Sequence, residues 1–213
     1  MKPHSSTTTF ILHGGESSRN TQANRDFFTR IIQTENKDRL NILCVYFARP
    51  TYRWEESFEE DCAIFHELHS RKKLNFTLAT LDIKTFNQQI LKSDILFMNG
   101  GLQGCLKETL EDLDSFRDSI RGKVVVGISA GANILSKYYW SSVAQSVREG
   151  IGILPIKLLC HYEVNDREEV KALEEYKEEL PLYKLPEEHF EIIHLDHEWQ
   201  TGFMCTWVYY TEI

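Results

Sequence analysis

Short β-branched or apolar runs alternate along this chain with longer amphipathic stretches. That rhythm predicts an α/β fold, a three-layer, doubly wound, mostly parallel sheet with helices on both faces. The strand candidates are Thr9–His13, Asn41–Phe47, Asn75–Thr80, Asp94–Met98, Lys123–Ile128, Ile156–Leu159, Phe190–His194 and Met204–Tyr210. Asn41–Phe47 has almost no polar interruption, as expected of a strand covered on both faces. Helices are expected over Ser18–Gln33, Phe58–His69, Cys105–Ile120 and Asp166–Glu179; in the first, Ala23, Phe27, Ile31 and Ile32 recur at helical spacing. No repeat, low-complexity tract or linker interrupts the 213 residues, so one domain is expected, with residues 1–8 as a flexible tail. The stretch Glu168–Glu188, dense in Glu and Lys, reads as a solvated face with internal i,i+4 pairs.

Charge and cysteine usage narrow the function classes. Thirty-two acidic residues against 24 basic ones leave a formal charge of −8, which argues against a nucleic-acid partner. The longest apolar runs, such as Ile42–Ala48, are too short for a membrane span, and no basic n-region followed by an apolar h-region opens the chain. A cytoplasmic location without membrane partners is the expectation. The five cysteines are scattered and never spaced as C-x-x-C, which argues against a disulfide framework or structural zinc. Neither a metal nor a cofactor is expected, since His and acidic residues lack ligand spacing and G-x-G-x-x-G is absent.

The most informative segment is Val124-Val125-Val126-Gly127-Ile128-Ser129-Ala130-Gly131-Ala132-Asn133. A buried strand runs through Gly-Ile-Ser-Ala-Gly into a small-residue helix, the arrangement of a nucleophile elbow. Such a turn lifts the Ser129 hydroxyl above the sheet edge, and glycines at 127 and 131 let strand and helix approach closely. The Ala130 N–H at the helix start then faces a developing oxyanion. The competing reading is a glycine-rich turn with a serine N-cap. Asn99-Gly100-Gly101 ends another strand and offers a second oxyanion donor, although a plain turn has the same composition.

A serine hydroxyl needs a base to take its proton, and histidine has a suitable pKa. His161 follows an apolar strand at its C-terminal end, where α/β sites gather, and is the best candidate; His194 and His197 are the runners-up.

The chain resembles the dipeptidase E and cyanophycinase family of serine peptidases, whose architecture is that of class I glutamine amidotransferases. Four segments match in order: Ile11–Gly15, Asp94–Gly101, Gly127–Asn133 and Gly150–Tyr162. The resemblance implies Ser129 as nucleophile, His161 as base and Gly101 with Ala130 as oxyanion donors. It also implies small peptides as substrates; Gly100, Asn133 and Tyr139 are the candidate substrate contacts. The chain departs from dipeptidase E at the triad acid. The resemblance would place an aspartate about fifteen residues after the serine, at Ala144, and Tyr138–Ser146 contains no acidic residue. Other branches of the resembled family draw the acid from a later strand end, which matches His194–Glu198 here. The resemblance thus makes Asp196 and Glu198 the candidate acids, with Glu163, two residues from His161, a local alternative. The aromatic patch Tyr138-Tyr139-Trp140 suggests an apolar substrate wall or a core cover, and Arg49, Tyr52 and Arg53 a carboxylate contact or a surface loop. Two other functions stay open: an esterase of α/β-hydrolase type, with His13-Gly14-Gly15 as a faint oxyanion motif, and a degenerate homologue that only binds a small ligand.

Overall fold

A computed structural model describes residues 7–111, 116–196 and 209–211. Strands β1 (Thr7–His13), β2 (Arg39–Val45), β3 (Lys73–Leu78), β4 (Ile95–Met98) and β5 (Val124–Ile128) run parallel in one sheet. Leu154–Cys160 and its neighbours lie outside this sheet. Late in the chain Phe190–Asp196 (β10) and Tyr209–Thr211 (β11) add antiparallel at one edge, giving the order β11-β10-β1-β5-β4-β2-β3.

Period-2 alternation divides β1, β2, β4 and β5 between two apolar layers, whereas the edge strand β3 packs Leu74, Phe76 and Leu78 into one of them. Ile11, Ile42, Cys44, Ile95, Phe97, Val124 and Val126 join Phe27, Phe28 and Ile31 of α1 (Gln22–Gln33) and Phe65 of α2 (Trp54–Glu67). Phe10, Leu12, Leu43, Val45, Leu96, Met98 and Val125 face the other way. They meet Phe86 and Ile90 of α3 (Ile83–Lys92), Leu106 and Leu110 of α4 (Gln103–Glu111), Phe116 of α5 (Phe116–Ser119) and Ile134 of α6 (Ala130–Leu135). The chain thus winds from β1 to β3 over one face and from β3 to β5 over the other, as the sequence predicts. Helix α3 was not foreseen, although Ile83, Phe86 and Ile90 recur at helical spacing. Its signature is the N-cap Asp82, which accepts from Thr85 N–H at 2.9 Å, followed by the i,i+4 pair Phe86 and Ile90.

A second, four-stranded sheet was not expected. Its order is β7 (Ser146–Glu149), β6 (Ser136–Ser141), β8 (Leu154–Cys160) and β9 (Leu182–Leu185), and only β8 has a counterpart in the sequence reading. Leu154, Ile156 and Leu158 pack it into the layer that also holds α6. Helix α7 (Arg167–Glu175) follows β8 and buries Leu173. Thr7 and Thr8, assigned to the tail by sequence, are part of β1; Thr8 is fully buried and accepts Gly122 N–H at 3.0 Å. Among the described residues no helix is long and apolar enough to cross a membrane.

The register aligns the carboxyl ends of the central strands. His13 lies opposite Ile128, and Met98 opposite Gly127, so the turns after β1, β4 and β5 emerge side by side. The turn after β5 has no spare room. A Cβ on Gly127 would sit 2.6 Å from Ala132 N, and one on Gly131 would collide with the Met98 carbonyl oxygen. Gly131→Ala is expected to lower the unfolding free energy by about 1–3 kcal/mol, the usual cost of overpacking. A lower urea midpoint at unchanged slope would show it; a wild-type midpoint would mean that the turn relaxes freely.

Candidate active site

Ser129 sits at φ +48°, ψ −105°, a backbone conformation that L residues rarely adopt and that costs on the order of 1–3 kcal/mol. Three neighbours hold it there. Its N–H donates to His13 O at 2.9 Å, and its carbonyl accepts from Asn133 N–H at 2.8 Å and from the buried Cys160 thiol at 3.7 Å. The side chain makes no capping hydrogen bond to the helix it precedes, contrary to the N-cap reading. Instead Oγ lies 2.9 Å from Nε2 of His161. The Ala130 N–H precedes the first intrahelical bond, Asn133 N–H to Ser129 O, and so is not consumed by the helix.

His161 follows the last residue of β8 and itself has a positive φ of 56°. Its backbone N–H donates to Gly14 O at 3.0 Å, and its ring lies against Gly15, where a Cβ would stand 2.7 Å from Nδ1. A side chain at 15 would therefore displace the imidazole. Nδ1 lies 3.3 Å from Glu187 Oε1. A carboxylate can only accept, so this contact places the proton on Nδ1 and leaves Nε2 to accept from the serine hydroxyl. Glu187 is braced on its far side by Arg19, whose Nη1 is 2.7 Å from Oε2. Burial works to raise the Glu187 carboxyl, but His161 and Arg19 outweigh it and hold the group below the usual carboxylate range. The loop carrying Glu187 is tied to the same glycine turn: Gly14 N–H donates to His189 O and Glu188 N–H to Gly15 O, both at 2.9 Å.

The acid that meets the imidazole is thus Glu187, and not a carboxylate singled out from sequence. Asp196 pairs with Thr7 at the opposite end of β1, which puts it roughly 20 Å away along the strand. Glu198 lies outside the described residues. Glu163 borders the cleft, where its N–H donates to Asp166, but the imidazole nitrogen it would need is turned to Glu187. Ala144 occupies the turn between β6 and β7, its N–H donating to Ser141 Oγ at 3.2 Å. Glu187 was overlooked because it falls in the acidic stretch read as a solvated face. Its available signal was Pro186, which marks a turn just before a strand.

The site opens into a cleft of about 1030 Å³ lined in part by Ser129, His161, Gly100, Gly101, Asn133, Arg49, Arg53 and Trp140. Gly100 borders Ser129: a Cβ there would be 3.2 Å from Ser129 Cβ. Asn133 is buried, and its Oδ1 has no hydrogen-bond partner among the described residues. Tyr139 does not reach the cleft. It is 5% exposed and joins the core, while strand alternation gives its neighbour Trp140 to the cleft lining. His194, a runner-up base, lies on β10 and faces Thr9 Oγ1 at 3.1 Å; His197 lies outside the described residues.

A family model described as peptidase family S51 matches residues 10–198. Among solved structures, the fold is similar to a provisionally assigned peptidase E protein from Listeria monocytogenes EGD-e. That match has 15% identity, covers 97% of this chain and 98% of the other, and has a TM-score of 0.64. It is also similar to a peptidase from an acI-B1 actinobacterium, at 18% identity over 90% and 84% of the two chains and a TM-score of 0.62. No curated protein matches the chain.

A second histidine stabilises the turn that holds the first. His13 is fully buried, accepts Gly15 N–H at Nδ1 (3.1 Å) and donates from Nε2 to Asn24 Oδ1 (3.0 Å), which requires the neutral ring. Burial lowers its pKa to about 4, against a partial offset from the Asn24 bond. A depressed histidine pKa contributes stability that is full above about pH 6.5 and is lost as pH falls through about 4. The contribution is on the order of 3 kcal/mol. The stability difference between wild type and His13→Gln should therefore narrow as pH falls from 7 to 4. Urea unfolding at each pH measures it, and a pH-independent difference would refute the assignment.

Proposed function

Since the chain belongs to peptidase family S51 and is a serine peptidase, we propose that Ser129, His161 and Glu187 form its catalytic triad and cleave small peptides through an acyl-enzyme. The observation that carries this reading is the 2.9 Å approach of Ser129 Oγ to His161 Nε2 across two different sheets. His161 takes the hydroxyl proton as Oγ bonds to the peptide carbonyl carbon, and the carbonyl oxygen gains the negative charge. The Ala130 and Gly101 N–H groups receive that oxyanion. The imidazolium, steadied by Glu187, then protonates the leaving amine as the C–N bond breaks. Water repeats the sequence to release the acid and restore the serine. Arg49 and Arg53 on the cleft wall suit a substrate carboxylate, and Asn133 Oδ1 suits a donor. The esterase and ligand-binding alternatives draw no support from the family match.

Ser129→Ala should abolish dipeptide hydrolysis and fluorophosphonate labelling while leaving the unfolding transition intact; a fully active variant would end the proposal. Glu187→Gln should reduce kcat roughly ten- to thousand-fold. This is less than the ~10⁴ typical of a buried triad aspartate, because both partners here are about 40% exposed and solvent screens the pair. An equal loss in Glu163→Gln, with Glu187→Gln unaffected, would move the acid to Glu163.

A further inference from the structure

Beneath the Asn99-Gly100-Gly101 turn lies a buried polar chain that the triad does not use. Asp61, on α2, is 5% exposed, and its Oδ2 accepts from Tyr46 Oη and from Asn99 Nδ2, both at 2.7 Å. Asn99 Oδ1 accepts Gly100 N–H at 2.6 Å and Arg49 Nη2 at 3.1 Å. Every partner of Oδ1 is a donor and the partner of Nδ2 is an acceptor, so only one orientation of the amide satisfies this site. On the other side of the turn Leu102 N–H donates to Ala48 O at 2.7 Å. The N–H groups flanking Gly101 are therefore both engaged, and among the described residues that of Gly101 has no partner. Gly101 holds φ +146°, a conformation suited to glycine, with no room for a Cβ beside Ala48.

We infer that Asp61 is a positioning residue: through Asn99 it holds the Gly100-Gly101 turn in the form that leaves the Gly101 N–H free for the oxyanion. Burial pushes the Asp61 carboxyl up to about 6, against the pull of Tyr46 and Asn99, and the two donors at Oδ2 make that oxygen the acceptor of the chain. Without that acceptor Asn99 Nδ2 is left buried without a partner, only the donors Gly100 N–H and Arg49 Nη2 still hold Oδ1, and the amide gains freedom to turn. The Gly100 N–H is then released beside Ser129, and the turn loses the constraint that sets the Gly101 amide. The effect is indirect, so it should be smaller than the hundred- to thousand-fold cost of deleting an oxyanion donor itself.

The inference rests on Ser129 being the nucleophile, and the test separates the two. The readout is the rate of Ser129 labelling by a fluorophosphonate, whose phosphoryl oxygen occupies the oxyanion position. Asp61→Leu, close in shape but unable to accept, and Asn99→Ala should each slow labelling about ten- to hundred-fold. Asp61→Asn, whose carbonyl can still accept from Asn99, should label within about threefold of wild type. If Asp61 acts through Asn99, the double variant should be no slower than the slower single one. Labelling of Asp61→Leu at the wild-type rate, losses that multiply in the double variant, or failure of Asp61→Asn to recover the rate would overturn the inference. If Asp61→Leu does not fold, Asn99→Ala and Asp61→Asn decide it by the same criteria. Wild-type protein that does not label at Ser129 would instead overturn the serine assignment.

Discussion

The strained backbone at Ser129 is the constraint on which the rest of the site depends. A serine at the start of a helix would ordinarily turn its hydroxyl back to cap the free N–H groups. At φ +48° it does not, and the hydroxyl is left to the imidazole. A cost on the order of 1–3 kcal/mol is tolerated because β1, α6 and the Cys160 thiol all bond the same peptide units. Glycines at 127 and 131 complete the arrangement by letting Met98 and the helix start close around it. Local strain is thereby shared among the adjoining helix and two strands, β1 and β8, remote in sequence.

The glycine pair after β1 works as a joint between the two sheets. Gly14 and Gly15 receive the His161 backbone, the Glu188 N–H and the imidazole ring itself, and they are anchored below by the neutral His13. His161 and Glu187 therefore reach Ser129 from the second sheet and its following loop, while Ser129 and the Gly100-Gly101 turn come from the first. A site assembled in this way owes its geometry to how the sheets dock. An ordinary hydrophobic contact, the packing of Leu154, Ile156 and Leu158 beside α6, has a direct bearing on the distance between Ser129 and His161.

The carboxylate beside His161 shows where sequence reasoning loses resolution. Asp196 and Glu198 were attractive because they follow a strand near the chain's end, and the prediction assumed that this strand end faces the site. Since β10 runs antiparallel to β1, its beginning lies at the site and its end lies far from it. The polarity of an edge strand is decided by pairing partners distant in sequence, and no local pattern encodes it. Glu187, just before that strand, takes the position that the reversed direction opens. Tyr139 and Trp140 repeat the lesson on a smaller scale: an aromatic run does not say which member faces inward until the strand's register is set.

By itself the sequence determined the parts whose physics is local. The alternation of buried strands and amphipathic helices specifies the doubly wound sheet, since each parallel strand must cover both faces. The small residues around Ser129 specify the turn, since no larger side chain fits it. The apolar run before His161 specifies a strand end that presents a base. Only the tertiary structure decided which carboxylate meets that base, that a second sheet carries it, and that Asp61 and Asn99 come together beneath the glycine turn. Those contacts join residues 26, 32 and 38 positions apart through the docking of whole elements. Such docking is set by the summed burial of many apolar side chains, and no single motif records it.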